Sequence, residues 1–412
     1  MDVVHDRSVG IDISKRDAKV CVRVPGIRLG TFTRTVTTWA ATTSEVLRLC
    51  EFLEEQHVTV VIMESTSDYW KPFYYLMEDS LPVMLVNAKH ARNIPGRKSD
   101  VSDCQWLAQL GAYGLLQASF VPPEPIRELR DLTRARTIAT HDRTREVQRL
   151  EKFLESSGIK LSSVVTDLMG VSSRAILNAL VAGERDPQVL AALARGRLKV
   201  KIPDLVEALV GRFGEHHAFM TRLHLEQIDT VTDRIDQYTA RIEEAMAPFR
   251  VIREALSTIP GVSTLVADVI IAETGAGMSV FPTAGHLASW AGVSPGSNES
   301  AGRIKYTKTM PGNKHLKGAL GIAALSVSHS KNTYLAVKYR RFAARRGKMK
   351  AVVALEHTIL TSVWNMLTAG EVFTDLGADY YIRLDPEKAK KRAIRQLQTL
   401  GYEVTITSSV AA

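Results

Sequence analysis

The first 120 residues alternate between short β-rich runs and amphipathic helical stretches. The run Val58-Thr-Val-Val-Ile-Met63 is typical of a buried strand, and Thr42 with Glu45 forms a capping box that predicts a helix start. The predicted strands are Ser8–Ile13, Ala18–Val24, Leu29–Val36, 58–63 and Pro82–Asn87, and the predicted helices are 43–57, 68–79 and one that starts near Ser99. This order predicts an α/β fold in which helices flank a mixed sheet.

The chain that follows is predicted to be mainly helical. Pro122-Pro-Glu-Pro125 interrupts the pattern and marks a boundary, and 126–155 then predicts one long helix. Residues 160–215 also look helical, with less regular periodicity. An a/d heptad pattern follows at Leu225, Ile228, Thr232, Ile235, Thr239, Ile242, Met246 and Phe249. Packing within the domain and an intermolecular coiled coil both remain open for this helix, and Pro248 is expected to end or kink it.

A third segment begins near Val251 and is again mainly α-helical in pattern. Within it, Leu256-Ser-Thr-Ile-Pro-Gly-Val-Ser263 lies between two apolar helical stretches. This order resembles the helix-hairpin-helix loop, whose backbone N–H groups can meet a DNA phosphate. Ser263 stands where the second glycine is usual, so a plain helical turn remains an alternative. The predicted domains are therefore 1–120, 121–250 and 251–412.

The charge distribution singles out one segment. The 412 residues contain 53 Lys and Arg against 44 Asp and Glu, yet 301–350 contains 13 Lys and Arg and no acidic residue. Phosphate backbones are the natural partner of such a segment. The candidate nucleic-acid contacts are Arg303, Lys305, Lys308, Lys314, Arg340, Arg341, Arg345, Arg346, Lys348 and Lys350. For a second basic cluster, 388–395, a merely solvated helix face is an equal alternative.

Several classes of protein are excluded by pattern. No window of 18 apolar residues predicts a membrane span, and the N-terminus lacks the basic and apolar regions of a signal peptide. Cys21, Cys50 and Cys104 are odd in number and lack CxxC spacing, which argues against a disulfide framework and a thiolate zinc site. These features predict a cytoplasmic protein with no membrane partner.

Four carboxylates form the strongest candidate site. Asp12 ends the first predicted strand, Glu64 follows the buried run 58–63, and Asp100 and Asp103 are three residues apart on a predicted helix and so on one face. An acidic residue at the end of a buried strand indicates a functional role, because removing a carboxylate from water costs free energy. Four such groups can hold two Mg²⁺ ions roughly 4 Å apart for phosphodiester displacement. The arrangement predicts an RNase H-like nuclease sheet.

Three acidic blocks and three later blocks together resemble one transposase family. The acidic blocks are Gly10-Ile-Asp-Ile-Ser-Lys15, Glu64-Ser-Thr-Ser-Asp-Tyr-Trp70 and Lys98-Ser-Asp-Val-Ser-Asp103. The later blocks are Ala288-Ser-Trp-Ala-Gly-Val-Ser-Pro295, Asn298-Glu-Ser-Ala-Gly-Arg-Ile304 and Gly312-Asn-Lys-His-Leu316. In order, they resemble the insertion-sequence transposases with an N-terminal RuvC-like DEDD domain and a C-terminal serine-bearing domain.

The resemblance implies a role for specific residues and partners. Asp12, Glu64, Asp100 and Asp103 would be the metal-binding carboxylates, and Ser300 would be a nucleophile that links covalently to a DNA phosphate. The protein would recombine donor and target DNA, guided by a structured bridge RNA, in a prokaryotic cytoplasm at the nucleoid. It would act as a dimer to tetramer, with composite sites that join the RuvC-like domain of one subunit to Ser300 of another.

The residues around Ser300 leave its activation open. A serine hydroxyl needs activation to react, and no Ser-His-Asp order is visible. Ser294 and Ser297 compete with Ser300 for the role, and His286 and His315 are candidate bases for which a structural or phosphate-facing role is favoured. Arg303, Lys305 and Lys308 could offset charge at the phosphate.

Three functional hypotheses follow from these features. The first is a transposase or site-specific recombinase that uses both the carboxylates and Ser300. The second is a metal-dependent, structure-specific nuclease, similar to a Holliday-junction resolvase, that needs only the four carboxylates. The third is a non-enzymatic nucleic-acid-binding protein, which the ordered acidic blocks disfavour.

Overall fold

A computed structural model describes residues 2–28, 30–65, 67–95, 102–296, 298–300, 302–306 and 308–406. The chain divides into two compact units, Met1–Val121 and Pro122–Ala412. The division at Pro122 coincides with the proline-rich interruption in the sequence. The three predicted domains, 1–120, 121–250 and 251–412, stay a prediction.

The first unit is built on a mixed sheet, as the sequence predicts. Its strands within the described residues are β1 (Ser8–Ile13), β2 (Asp17–Pro25), β3 (Phe32–Ala40), β4 (Val60–Glu64) and β5 (Val83–Val86). The order across the sheet is β3-β2-β1-β4-β5. The β1–β2 and β2–β3 pairs are antiparallel, whereas β4 is parallel to both β1 and β5. The carboxyl ends of β1, β4 and β5 therefore lie at one edge of the sheet.

Helices cover both faces of this sheet. They are α1 (Thr43–Glu55), α2 (Trp70–Met77), α3 (Ala88–Asn93) and α4 (Asp103–Ala112). On one face, Val9 and Ile11 of β1 join the buried side chains of α1 and α2, such as Leu49 and Phe73. On the other face, Ile62 belongs to a buried cluster with Leu107 and Leu110 of α4. The central strands are thus buried on both sides, which explains the uninterrupted apolar run in β4.

Two boundaries in this unit differ from those predicted. β3 covers Phe32–Ala40 instead of Leu29–Val36, because a turn closed by the Gly26 N–H donating to the Thr31 carbonyl uses the earlier residues. α4 begins at Asp103, since Ser102 is its N-cap with extended backbone. The expectation that Asp100 and Asp103 share one helix face stays a prediction. Asp100 itself lies outside the described residues.

The second unit is mainly helical. Its first helices are α5 (Glu124–Ser156), α6 (Leu161–Val164), α7 (Val171–Val181), α8 (Pro187–Ala192), α9 (Ile202–Ala208) and α10 (Glu215–Ala245). Its later helices are α11 (Arg250–Ser257), α12 (Thr264–Thr274), α13 (Ala284–Trp290), α14 (Lys314–Ser328), α15 (Tyr334–Arg346), α16 (Lys348–Ala369), α17 (Tyr380–Leu384) and α18 (Pro386–Thr399). A hairpin of β6 (Asn298–Ser300) and β7 (Arg303–Tyr306) lies between α13 and α14.

The heptad-patterned helix α10 packs against α5 of the same chain. Leu225 and Ile228 are buried in one cluster with Leu150 of α5. The Arg143 guanidinium of α5 donates a 2.8 Å hydrogen bond to Thr232 Oγ1. This part of the a/d face is therefore occupied within the chain, and an intermolecular coiled coil stays a prediction. The expected effect of Pro248 is confirmed, because α10 ends at Ala245 and a short 3₁₀ turn follows.

The Pro-Gly turn connects α11 and α12. Gly261 has a φ of +87°, which favours glycine. A Cβ at Gly261 would also lie 2.5 Å from the Ala323 carbonyl oxygen, so the turn is packed against α14. Its resemblance to a helix-hairpin-helix loop stays a prediction. None of the helices in the described ranges has both the length and the apolar content needed to cross a bilayer.

Candidate active site

Asp12 and Glu64 lie side by side at the carboxyl ends of two parallel strands. Gly10 pairs with Ile62 and Ile11 with Met63, so the same register brings Asp12 next to Glu64. Neighbouring strands are about 4.8 Å apart, and in-register residues of parallel strands point to the same face. Asp12 is half-buried and Glu64 is 8% exposed. The sheet thus brings two of the four predicted carboxylates together.

Helix α4 covers the face on which these two acids lie. Gly10 is on that face, and a Cβ there would lie 2.1 Å from the Cys104 carbonyl oxygen. At the other end of α4, the Ala112 carbonyl accepts a hydrogen bond from the Val4 N–H, which precedes β1. The helix therefore runs antiparallel to β1, and its N-terminus lies toward Asp12.

Asp103, the first residue of α4, consequently lies at the same end of the sheet as Asp12 and Glu64. The helix start is fixed by Gln105, whose side-chain oxygen accepts a 3.3 Å hydrogen bond from the Ser102 N–H. The positive end of the helix dipole favours negative charge at this position. Three of the predicted carboxylates therefore lie at the same end of the sheet, while the position of Asp100 lies outside the described residues.

The donor set suits a hard divalent cation. Carboxylate oxygens on adjacent strands and at a helix start are the ligands that Mg²⁺ uses in phosphoryl-transfer sites. Within the described residues, no group of three or more His, Cys, Asp or Glu side chains is arranged so that it could hold a metal ion. Asp12, Glu64 and Asp103 therefore suit such an ion in their chemistry, while their described positions do not by themselves form a metal site.

Ser300 is the last residue of β6 and pairs with Arg303 across the hairpin. Gly302, with a φ of +74°, forms the turn between them. Arg303 is exposed, whereas the side chains of Ser300 and Lys305 lie outside the described part of the chain. The competing Ser294 is half-buried just before the hairpin, and Ser297 lies outside the described residues.

The two candidate bases have different surroundings. The His286 Nδ1 lies 2.8 Å from the Thr283 hydroxyl, which also caps α13, so this ring is held at a helix start. His315 is half-buried on the first turn of α14. Burial and the nearby Arg134 lower the pKa of His315, which keeps its imidazole neutral near pH 7.

The predicted basic contacts fall into three groups. Lys314 opens α14, and Lys308 is exposed beside the hairpin. Arg340 donates to the Ser330 and Lys331 carbonyls, and the Arg341 guanidinium lies 4.1 Å from the Tyr381 ring centre, so both help to hold the fold. The remaining cations are exposed around the turn from α15 to α16: Arg345, Arg346, Lys348 and Lys350.

The sequence analysis missed two buried acids on α12. Glu273 and Asp268 are both fully buried. Glu273 accepts hydrogen bonds from Arg134 of α5 and Asn313, and Asp268 pairs with Arg136 of α5 and Arg253 of α11. The sequence signal for these residues is the presence of two acids in the otherwise apolar helix sequence Leu265-Val-Ala-Asp-Val-Ile-Ile-Ala-Glu273. Buried charges require partners, so this pattern indicates buried ion pairs.

Comparisons with known proteins match both ends of the chain. A family model for DEDD transposases of the IS110 type, described as "Transposase", matches residues 9–158. A second, described as "Transposase IS116/IS110/IS902 family", matches residues 253–340. A Streptomyces coelicolor protein named "Insertion element IS110 uncharacterized 43.6 kDa protein" is 24% identical over 190 residues. That alignment covers 46% of this chain and 42% of the relative, so the chain spans less than half the length of this relative.

Proposed function

The chain belongs to the IS110 family of insertion-element transposases, and we propose that it cuts and rejoins DNA strands with a carboxylate site and a serine nucleophile. The carboxylate site would comprise Asp12, Glu64, Asp100 and Asp103. The nucleophile would be Ser300. The observation that carries this proposal is the location of Asp12, Glu64 and Asp103 at the same end of the sheet, within the region that the DEDD transposase model matches.

The carboxylates would hold Mg²⁺. When bound at such a site, paired Mg²⁺ ions lower the barrier to phosphodiester displacement by stabilising the attacking and leaving oxygens. The chain's own contribution is to fix the ligands. The sheet register holds Asp12 beside Glu64, and the close packing of α4 on Gly10 places Asp103 at the same end of the sheet. The strand order with three antiparallel strands before two parallel ones supports a RuvC-like fold for this unit.

Ser300 would form the covalent intermediate. Its Oγ would bond to phosphorus as the bond from phosphorus to the leaving sugar oxygen breaks. The serine proton would pass to solvent or a nearby base, and the leaving oxygen would take up a proton. The phosphoserine ester then retains the DNA strand until another sugar hydroxyl displaces the serine. The exposed Arg303, paired with Ser300 in the hairpin register, supports charge stabilisation at that phosphate.

The partners would be donor and target DNA, with a bridge RNA as guide and a dimer or tetramer as the active assembly. The exposed cations at the α15–α16 turn support a polyanionic partner without distinguishing DNA from RNA. The guide RNA and the oligomer follow from the family resemblance. The exposed Thr239 on the heptad face leaves part of α10 accessible for contact between subunits.

The test combines the purified protein, DNA carrying the element ends, transcribed RNA and Mg²⁺. Products of wild type, Ser300→Ala, Ser294→Ala and Glu64→Gln are run on a denaturing gel with and without protease. We expect a protease-sensitive protein–DNA band that is lost in Ser300→Ala, kept in Ser294→Ala and absent in Glu64→Gln. Cleavage by Ser300→Ala that leaves free DNA ends would instead identify the metal-only nuclease.

A further inference from the structure

The segment that carries Ser300 is closed at its base by two glycines. Gly292 follows α13 and Gly312 precedes α14, and a Cβ on Gly312 would lie 2.3 Å from the Gly292 nitrogen. Farther along, the Gly296 N–H donates to the Lys308 carbonyl at 2.9 Å. The two segments leading to and from the hairpin are therefore held together below it, and side chains that fix this base also restrain the hairpin.

Lys317 and Asn313 of the α14 N-terminus hold this base. The Lys317 ammonium donates to the Gly292 carbonyl at 3.1 Å and to the Thr309 hydroxyl at 3.0 Å, so it bridges the residues before the hairpin and those after it. The Asn313 N–H donates to the Trp290 carbonyl at 3.3 Å. Asn313 also caps α14, because its Oδ1 accepts from the N–H groups of His315 and Leu316.

The other end of the Asn313 side chain reaches a buried carboxylate. Its Nδ2 donates a 2.6 Å hydrogen bond to Glu273 Oε2. Glu273 in turn accepts two hydrogen bonds from the Arg134 guanidinium, at 2.7 and 2.8 Å. Arg130 adds a 2.8 Å bond to the Glu273 backbone carbonyl. One continuous chain of polar contacts therefore runs from α5 through α12 to the base of the hairpin.

The hydrogen-bonded network formed by Arg134, Glu273 and Asn313 contains a carboxylate that stays charged. Burial raises the pKa of Glu273, but hydrogen bonds from Arg134 and Asn313 outweigh it, so the pKa lies below the usual range. The carboxylate consequently stays ionised near neutral pH. Because Glu273 is fully buried, its removal leaves Arg134 and Asn313 without their acceptor.

We infer that Glu273 and Asn313 are positioning residues for Ser300, which hold the hairpin base to helix α5. The inference rests on the proposed role of Ser300. A displacement of a nucleophile by about 1 Å can cost on the order of 100-fold in rate, so a loosened hairpin base should slow attack on phosphorus. DNA binding by the exposed cations should change little.

Asp268 provides a matched control on the same helix. It is also fully buried and also accepts hydrogen bonds from an α5 arginine, Arg136, and from Arg253 of α11. Among the described residues, its hydrogen bonds go to these two arginines and not to Asn313. Loss of Asp268 should therefore destabilise the unit as loss of Glu273 does, without loosening the hairpin base.

The experiment compares the full-length wild type with Glu273→Gln, Asn313→Asp, the double variant and Asp268→Asn. In the double variant, the introduced glutamine amide can donate to the introduced aspartate carboxylate, which restores the hydrogen bond with reversed polarity and keeps the cap of α14. At equal folded fraction, we expect the single-turnover rate of protein–DNA adduct formation to fall about 10- to 100-fold in both single variants at the hairpin base. The double variant should form the adduct at least about tenfold faster than either single variant. The rate for Asp268→Asn should lie within about threefold of the wild-type rate.

A second readout does not depend on the serine chemistry. Hydrogen exchange of the Gly296 N–H should speed up in Glu273→Gln and Asn313→Asp but not in Asp268→Asn. An equal loss of adduct in Asp268→Asn, or unchanged exchange at Gly296 in Glu273→Gln, would overturn the inference. An adduct that persists in Ser300→Ala would overturn the proposed nucleophile instead, while the exchange result would still report on the hairpin base.

Discussion

Gly10 of β1 packs directly against the backbone of Cys104 in α4. The space beside its Cα holds a hydrogen atom but is too small for the Cβ of any other residue. An added Cβ would lie 2.1 Å from the Cys104 carbonyl oxygen and 2.5 Å from the Ala108 nitrogen. This contact lets α4 approach the sheet closely. It therefore determines how near Asp103, the residue before Cys104, comes to Asp12, which is two residues beyond Gly10.

Gly10→Ala should accordingly destabilise the first unit. Overpacking against backbone atoms typically costs about 1–3 kcal/mol, and no flexible side chain end is available here to move away. The Tm and the denaturant concentration at the midpoint of unfolding should both decrease. The rate of Mg²⁺-dependent DNA cleavage should decrease by a larger factor than the folded fraction of the protein does.

Gly318→Ala is the matched control for this substitution. Gly318 lies in the interior of α14, and an added Cβ there meets nothing within 4 Å among the described residues. Alanine should stabilise the helix by about 0.5–1 kcal/mol. Equal stability of wild type and Gly10→Ala would contradict the packing argument.

Removal of an acid at the sheet edge should abolish stabilisation by Mg²⁺. At an ion concentration tenfold above Kd, binding to the folded state contributes about 1.4 kcal/mol. Wild type should therefore show a higher Tm with Mg²⁺ than with chelator, whereas Asp12→Asn and Glu64→Gln should show little difference. Asp79→Asn is the control, because Asp79 is exposed and precedes β5 at the opposite end of the sheet. A full Mg²⁺ response in Glu64→Gln would exclude Glu64 as a ligand.

The parts of this site that the sequence predicts are those governed by local pattern. The apolar run before Glu64 and the strand before Asp12 predict two strand ends, and the parallel β1–β4 register brings the acids together. The start of α4 carries a local signal that the prediction of a helix start near Ser99 did not use, namely the capping box of Ser102 and Gln105. The sequence nonetheless assigns Asp103 to the correct helix.

The network behind Ser300 could not be predicted in the same way. Glu273, Asn313 and Arg134 are up to 179 positions apart in sequence and belong to α12, the N-cap of α14 and α5. No periodicity relates them, and only tertiary packing pairs the buried carboxylate with these donors. The apolar setting of Glu273 signals that it needs partners but does not identify them.

Glu356 should make the protein less stable as the pH rises. This α16 carboxyl is 5% exposed, and its Oε2 has no hydrogen-bond partner among the described residues. Burial raises its pKa, with Lys317 acting in the opposite direction. Ionisation therefore costs about 1.4 kcal/mol for each pH unit between the ordinary and the raised pKa. Glu356→Gln should gain stability over wild type as pH increases through this window. Denaturant unfolding as a function of pH measures the difference, and a pH-independent difference would contradict it.

Glu146 should show the opposite pH dependence. Its carboxylate accepts hydrogen bonds of 2.6 Å from both His224 and Arg149. Burial raises the pKa of Glu146, but these two partners outweigh it and the pKa is lowered. The stabilisation is therefore present above the ordinary pKa of glutamate and is lost as the pH falls through the lowered pKa. Glu146→Gln should be about 1–3 kcal/mol less stable than wild type at pH 7, and the two unfolding curves should converge in acid.

The exposed cations at the α15–α16 turn should determine the salt dependence of DNA binding. Each phosphate contact contributes about 0.9 to the slope of log Kobs against log salt for duplex DNA. Replacing Arg346, Lys348 and Lys350 by Gln should therefore reduce the slope by up to about 2.7. Fluorescence anisotropy with labelled duplex DNA at several salt concentrations measures this slope.

A control with the same change in net charge separates contact from overall attraction. Arg48, Lys71 and Arg241 are cations that each pair with a neighbouring carboxylate, namely Glu45, Asp68 and Glu244. Their combined replacement by Gln removes three positive charges away from the turn and should leave the slope nearly unchanged. An equal reduction in both triple variants would show that net charge, and not the α15–α16 turn, sets the affinity.

A reduced slope on replacing Lys388, Lys390 and Lys391 would add α18 to the contact surface, since these exposed cations lie on a helix of their own.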